Sequence, residues 1–265
     1  MSYPNIRYGD FGDEKVAASV APSGNPLGQL MILPDGSKFR LARASSAAAL
    51  SAGTMVSSSA AVVGHGGVSG SGLLASATTT ENLAGHTVVY LVSKSAAVTL
   101  DQYAGGWLNV QGPAASSYIG YKYRIKENAS AAVSTRFKIT LDPKDSLKVD
   151  FKAGTTSCSL HKSQYSDAIV RSTSAAVAPI IGGVPTAVSA NFYFWAQRTG
   201  LFSAIQSATA CTDGAPVISS SVTSGSVTVA SSAAVSTSVW EAQIIGVAKE
   251  APAASTACLI DLMLE

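Results

Sequence analysis

Ser159-Leu160-His161-Lys162 sets a serine and a lysine at S-x-x-K spacing. In that arrangement a lysine amine takes the serine proton and frees the hydroxyl to attack an acyl carbon. Ser166-Asp167 and Arg198-Thr199-Gly200 loosely echo the companion elements of penicillin-recognising enzymes. Those enzymes carry the serine on a buried helix, with the elements far apart. Here the first two are almost adjacent in a β-rich stretch, and chance in a Ser-rich chain accounts for them. Gly70-Ser71-Gly72-Leu73-Leu74-Ala75 fits G-x-G-x-x-A. A dinucleotide site needs a helix to follow, so that phosphate meets the helix N-terminus. Ala77-Thr78-Thr79-Thr80 continues a helix poorly, and a loop is expected. His65, His86 and His161 lack metal-ligand spacing, and Lys144 and Lys148 interrupt Asp142, Asp145 and Asp150. A charge-balanced turn is expected there rather than a calcium loop. Cys158, Cys211 and Cys258 read as buried free thiols. No catalytic, cofactor-binding or metal-ligating residue is nominated. The chain is expected not to be an enzyme and to need no cofactor.

Composition narrows the classes further. Of 265 residues, 47% are hydrophobic and only 13% are charged, about half the usual charged fraction. Such a surface suits a protein covered by other subunits. The formal charge is +2, and the 18 basic residues are scattered along the chain, which predicts no direct nucleic-acid contact. The N-terminal MSYPNIRYGDFGDEK has no signal pattern. No apolar run reaches the ~18 residues of a membrane span. Use without export, and away from membranes, is expected. The sequon Asn128-Ala129-Ser130 carries little weight without export.

The elements predict a mainly β chain with a sandwich- or barrel-like body. Residues 1–28, with Pro4, Pro22 and Pro26, read as an extended arm. Residues 29–56 read as a β-hairpin turning at Pro34-Asp35-Gly36, followed by a short connector with one or two helical turns at 47–55. Residues 57–265 read as a β-rich body, separate from 29–56 or one domain with it, opening over 57–82 with a loop that holds one or two short strands. Its expected strands are 86–93, 107–111, 118–127, 135–141, 146–151, 169–172, 217–221, 226–230, 239–247 and 257–264. The chain is 7% aromatic, yet NFYFWAQRTGLF (191–202) holds five rings. Residues 191–197 read as a strand, Arg198-Thr199-Gly200 as a tight turn, and 201–206 as the returning strand. Both faces of the first strand are apolar, so one is expected in the core and the other, with Tyr193 and Trp195, under another layer of this chain or another chain, an interface being the reading taken forward.

Three segments resemble virion structural proteins of tailed bacteriophages. PDGSKFRLARASSAAALSAGTMV is similar to their "DG-x-x-F/Y-R" hairpin and the "AL-x-A-G" step after it. FYFWAQRTG resembles their "GYYFWLQTKG"-like strand, and IIGVAKE followed by ACLIDLML their closing pair. The order matches; residues 57–165 share only β character. Many such proteins decorate icosahedral heads. The resemblance implies a decoration (cement) protein on the capsid surface of a virion, assembled in the host cytoplasm. It would bind the major capsid protein across shell seams and itself as a homo-oligomer, with a trimer suiting threefold points, and would hold the shell against internal DNA pressure. Tyr3, Ile6, Arg7, Tyr8 and Phe11 are the expected shell contacts, with Tyr193 and Trp195 as self-interface. A tail or fibre protein binding host glycans is the alternative. The major capsid protein itself is less favoured, since no long spine helix is legible.

Overall fold

A computed structural model describes residues 6–22, 25–59, 65, 73–75, 82–93, 96–112, 120–152, 156–173, 178–230 and 243–264. The protein is mainly β, as the alternation predicts. It begins with β1 (Ile6–Tyr8), β2 (Leu30–Ile32), β3 (Lys38–Arg43) and β4 (Met55–Ser58). The middle holds β5 (Leu73–Ala75), β6 (Val88–Val92), β7 (Trp107–Gly112), β8 (Lys122–Asn128), β9 (Arg136–Leu141) and β10 (Ser157–His161). The rest holds β11 (Ala168–Val170), β12 (Ile180–Gly183), β13 (Tyr193–Ile205), β14 (Pro216–Ser219), β15 (Val227–Val229), β16 (Ile244–Ala248) and β17 (Ala257–Met263). The expected helical turns at 47–55 and strand at 146–151 do not form. Leu50 instead exchanges backbone hydrogen bonds with Val188.

Two compact units share the chain: residues 1–60 with 164–265, and residues 61–163. This corrects the expected division at 28 and 56. Arm, hairpin and C-terminal third form one unit because their strands pair with each other. The middle forms its own.

The first unit is an eleven-stranded sheet, in the order β1-β2-β3-β13-β17-β16-β14-β15. β12 joins it through β13, and β4 pairs with both β11 and β12. The β2–β3 hairpin forms for local reasons. Gly36 takes φ 85°, and the Asp35 carboxylate accepts hydrogen bonds from Ser37 N (3.0 Å) and Oγ (2.8 Å). Met31 then pairs with Phe39, and both side chains are buried.

β13 is the spine of this sheet, and it overturns the expected turn at 198–200. Its first half pairs with β3 and its second half with β17, with a register shift between Gln197 and Thr199. The buried Gln197 amide donates to Thr199 O (3.2 Å) and Leu201 O (2.9 Å), which satisfies carbonyls at the irregularity. Gly200 does take positive φ, 89°. Partners on both halves hold the chain extended, so this local signal bends the strand rather than reversing it.

The second unit is a closed six-stranded barrel, β10-β5-β6-β9-β8-β7. Alternate residues point inward: Val89 and Leu91, Leu108 and Val110, Tyr123 and Ile125, Phe137 and Ile139, Cys158 and Leu160. Closure removes the open sheet edges of these strands. Two buried polar groups tie loops to the wall. His65 Nε2 donates to Ala96 O (2.9 Å), because a carbonyl only accepts. That leaves Nδ1 to accept from the Tyr103 hydroxyl at 2.5 Å. Asn128 Oδ1 accepts Tyr103 N–H (2.8 Å) while its Nδ2 donates to Thr99 O (2.8 Å). The sequon asparagine is thus 2% exposed and occupied structurally.

Candidate functional site

The expected contact residues converge at one edge of the sheet. β1 lies parallel to β2, with Ile6 opposite Leu30 and Tyr8 opposite Ile32. Ile6–Tyr8 of the arm is therefore the sheet's first strand. Alternation along β1 turns Ile6 and Tyr8 outward, Tyr8 at 79% exposure. Phe11 follows at 67%. Arg7 points the other way: its Nη2 lies 3.2 Å from Asp13 Oδ2 and its guanidinium 5.8 Å from the centre of the Trp195 ring. Tyr3 lies outside the described residues.

Trp195 is 4% exposed, in a cluster with Met31, Leu33, Phe39 and Leu41. That corrects its assignment to a self-interface. Tyr193 is half-buried at the edge of the same cluster, 5.9 Å under the Arg43 guanidinium, and its backbone exchanges two hydrogen bonds with Ala18. The second apolar face of the strand is covered by this chain's own hairpin and N-terminal segment. Beside it, Phe11, Glu14, Leu33, Phe39 and Leu201 line a half-open hollow of about 240 Å³.

A different apolar surface is left uncovered. Leu201 and Ile205 on β13 and Met263 on β17 are exposed at 57%, 36% and 60%. Leu259 is half-buried on the same outward side of β17, and Leu201 lies opposite Asp261, Ser203 opposite Leu259. The Lys249–Asp261 ion pair (3.5 Å) borders this stripe. Sequence reasoning missed it, because it took residues 201–206 for a returning strand and assigned the outward face to 193 and 195.

The catalytic motifs do not assemble. Ser159 Oγ lies 3.1 Å from His161 Nε2, but Ser159 is fully buried in the wall of the barrel. Leu73–Ala75 is a strand rather than a helix start, and Gly70–Gly72 lie outside the described residues. Asp142, Asp145 and Asp150 each accept a backbone N–H, from Lys144, Arg124 and Ala84. Among the described residues no His/Cys/Asp/Glu group is placed to hold a metal ion. All three cysteines are buried and free. Burial pushes the Cys158 thiol up to about 12, against the reactivity of a thiolate.

The barrel shows a second thing the sequence reading missed. Basic residues that look scattered along the chain gather on its outer wall: Lys122, Arg124 and Lys126 on β8, Arg136 and Lys138 on β9. Their i, i+2 spacing in KYRIK and RFK was the available signal. Compared with protein-family models, curated proteins and solved structures, the chain matches none.

Proposed function

We propose that the protein is a capsid decoration (cement) protein of a tailed bacteriophage, binding the outside of an icosahedral head across the seams between major capsid subunits. One observation carries this reading. Strands of the three segments that resemble phage virion proteins are neighbours in one sheet, β3-β13-β17-β16, although more than a hundred residues of chain separate the first segment from the second. The stretch without the resemblance, 57–165, nearly coincides with the separate barrel of residues 61–163. That the resembling segments share one structural unit supports this reading.

Docking is assigned to the edge strand. Ile6, Tyr8 and Phe11 present apolar surface that water now covers, and each large side chain buried against a shell contributes roughly 1.5–3 kcal/mol. Self-association is assigned to the stripe of Leu201, Ile205, Leu259 and Met263, and a closed trimer would multiply weak shell contacts by multivalency. Shell stabilisation then follows by mass action, since the bound subunit favours the intact lattice.

The test uses expanded heads assembled without this protein. Added chain is expected to co-sediment in fixed stoichiometry with shell subunits and to raise the disruption temperature. Tyr8→Ser with Phe11→Ser should abolish docking while leaving the melting temperature of the free protein unchanged. Heads that take up no protein would end the proposal. A few copies per particle, with binding to cells, would favour a fibre protein.

A further inference from the structure

The barrel is the basic part of an otherwise near-neutral protein. Residues 61–163 hold ten Lys and Arg against six Asp and Glu, a formal +4, and the rest of the chain holds eight against ten. Much of that charge lies on one wall. Lys122 and Arg124 point outward along β8, about 7 Å apart, and Lys126, exposed beyond them, is the extra residue of a bulge before Glu127. β9 runs antiparallel to β8, so Lys138 and then Arg136 continue in the same direction: Glu127 lies opposite Thr140, and Ala129 N bonds to Lys138 O. The five cations form a track about 25 Å long. Among the described residues no carboxylate pairs with Lys122, Lys126 or Lys138. Glu127, within the track, accepts a hydrogen bond from Thr140 Oγ1 at 3.0 Å. Asp142 and Asp145 lie at the Arg124 end, where Asp145 accepts the Arg124 backbone N–H.

Aromatic rings brace the track at both ends. Lys122 Nζ and Arg124 Cζ each lie 5.0 Å from the centre of the Trp107 ring. Trp107 is directly opposite Arg124 in the ladder. Arg136 Cζ lies 3.9 Å over Tyr90, whose cross-strand partner is Lys138. A ring beneath a long cationic side chain holds it in place, so less rotamer freedom is lost when an anion binds.

We infer that this wall, Lys122-Arg124-Lys126-Lys138-Arg136 with Trp107 and Tyr90, is a binding track for a linear acidic polysaccharide. Charge selects a polyanion, and the linear run selects an extended one. Single-stranded nucleic acid binds on open aromatic platforms, whereas here Trp107 and Tyr90 carry the protein's own cations. An anionic membrane surface calls for apolar side chains to insert, and the large one on this wall, Trp107, is tied to its two cations. The outward Asn109, Gln111 and Thr140 are half-buried neutral hydrogen-bonding groups beside the cations, suited to sugar hydroxyls between charged groups. The inference stands apart from head binding and is read on the free protein, so either can fail without the other.

The experiment is titration calorimetry of the full chain with an eight-residue oligogalacturonate, with a nine-nucleotide oligo-dT of equal charge, and with neutral dextran. Expected is binding of the oligogalacturonate in preference to oligo-dT, none of dextran, and weakening as salt rises. Lys122→Gln with Arg124→Gln should weaken it at least tenfold. Lys126→Gln with Lys138→Gln, both exposed, should do the same without touching the rings. Lys144→Gln with Lys152→Gln removes equal charge outside the track and should change it less than threefold. Trp107→Leu keeps the charge and should weaken binding three- to tenfold by releasing both cations. No binding, tighter binding of oligo-dT, or equal losses in the track and control pairs would overturn the inference.

Discussion

Trp195 shows what one residue decides. Its side chain closes the cluster of Met31, Leu33, Phe39 and Leu41 beneath Arg7. Trp195→Ala is expected to cost about 3–5 kcal/mol of unfolding free energy, the range for emptying a large aromatic site, and to leave self-association unchanged in the fraction that remains folded. Urea unfolding and sedimentation velocity report the two effects separately. Cys158 makes a prediction in pH. Burial raises its thiol from the ordinary value of 9 to about 12, so the folded state holds its proton more tightly than the unfolded chain does. That contribution is complete below about pH 9 and is lost as pH rises through about 12. Tyr103 and Tyr123, also raised by burial, act in the same direction from a higher starting point. Unfolding free energies at pH 7, 9 and 11 should fall along the series, and fall less steeply in Cys158→Ala.

At the scale of elements, β13 is the instructive case. Gly200 has φ 89°, and an added Cβ there would collide with Ser37 Oγ and Cβ. Gly200→Ala should therefore destabilise the sheet unit by about 2 kcal/mol or more, seen as a lower melting temperature. The hairpin at Pro34-Asp35-Gly36 was legible because every group that makes it lies within a few residues. The signal at Arg198-Thr199-Gly200 was equally local and misled, because β3 and β17, from opposite ends of the chain, keep the strand running on past it. The interface assignment of Trp195 failed for a related reason. Alternation says that a face is covered and cannot say whether the cover comes from this chain or another. Ile6 and Tyr8 of β1 were legible as contact candidates; their place on a sheet edge was not, since β2 supplies it. The cations of β8 and β9 were written in KYRIK and RFK, but only the antiparallel ladder lines them up as one track.

At the scale of the whole molecule, the barrel interrupts the sheet unit's chain at a point where the two ends stay together. β4 pairs with β11, and Ser59 N–H donates to Asp167 O at 3.1 Å. Replacing residues 61–163 with a short Gly-Ser linker should leave the remainder folded, with a β-type circular dichroism spectrum and a cooperative melt. Loss of both would show that the sheet unit depends on the barrel.

The amino-acid sequence by itself determined that the chain is β, where most strands run and where the hairpin turns, because side-chain alternation and turn chemistry act over a few residues. It also determined which residues are cationic, aromatic or thiol. Tertiary structure alone decided that the chain divides into a sheet and a barrel, that Trp195 is core while Leu201 and Met263 face outward, and that five separate cations form one wall. The physical reason is that a strand's hydrogen bonds go to partners far away in the chain, so which neighbour it meets, and which face that neighbour covers, is settled only when the whole sheet closes.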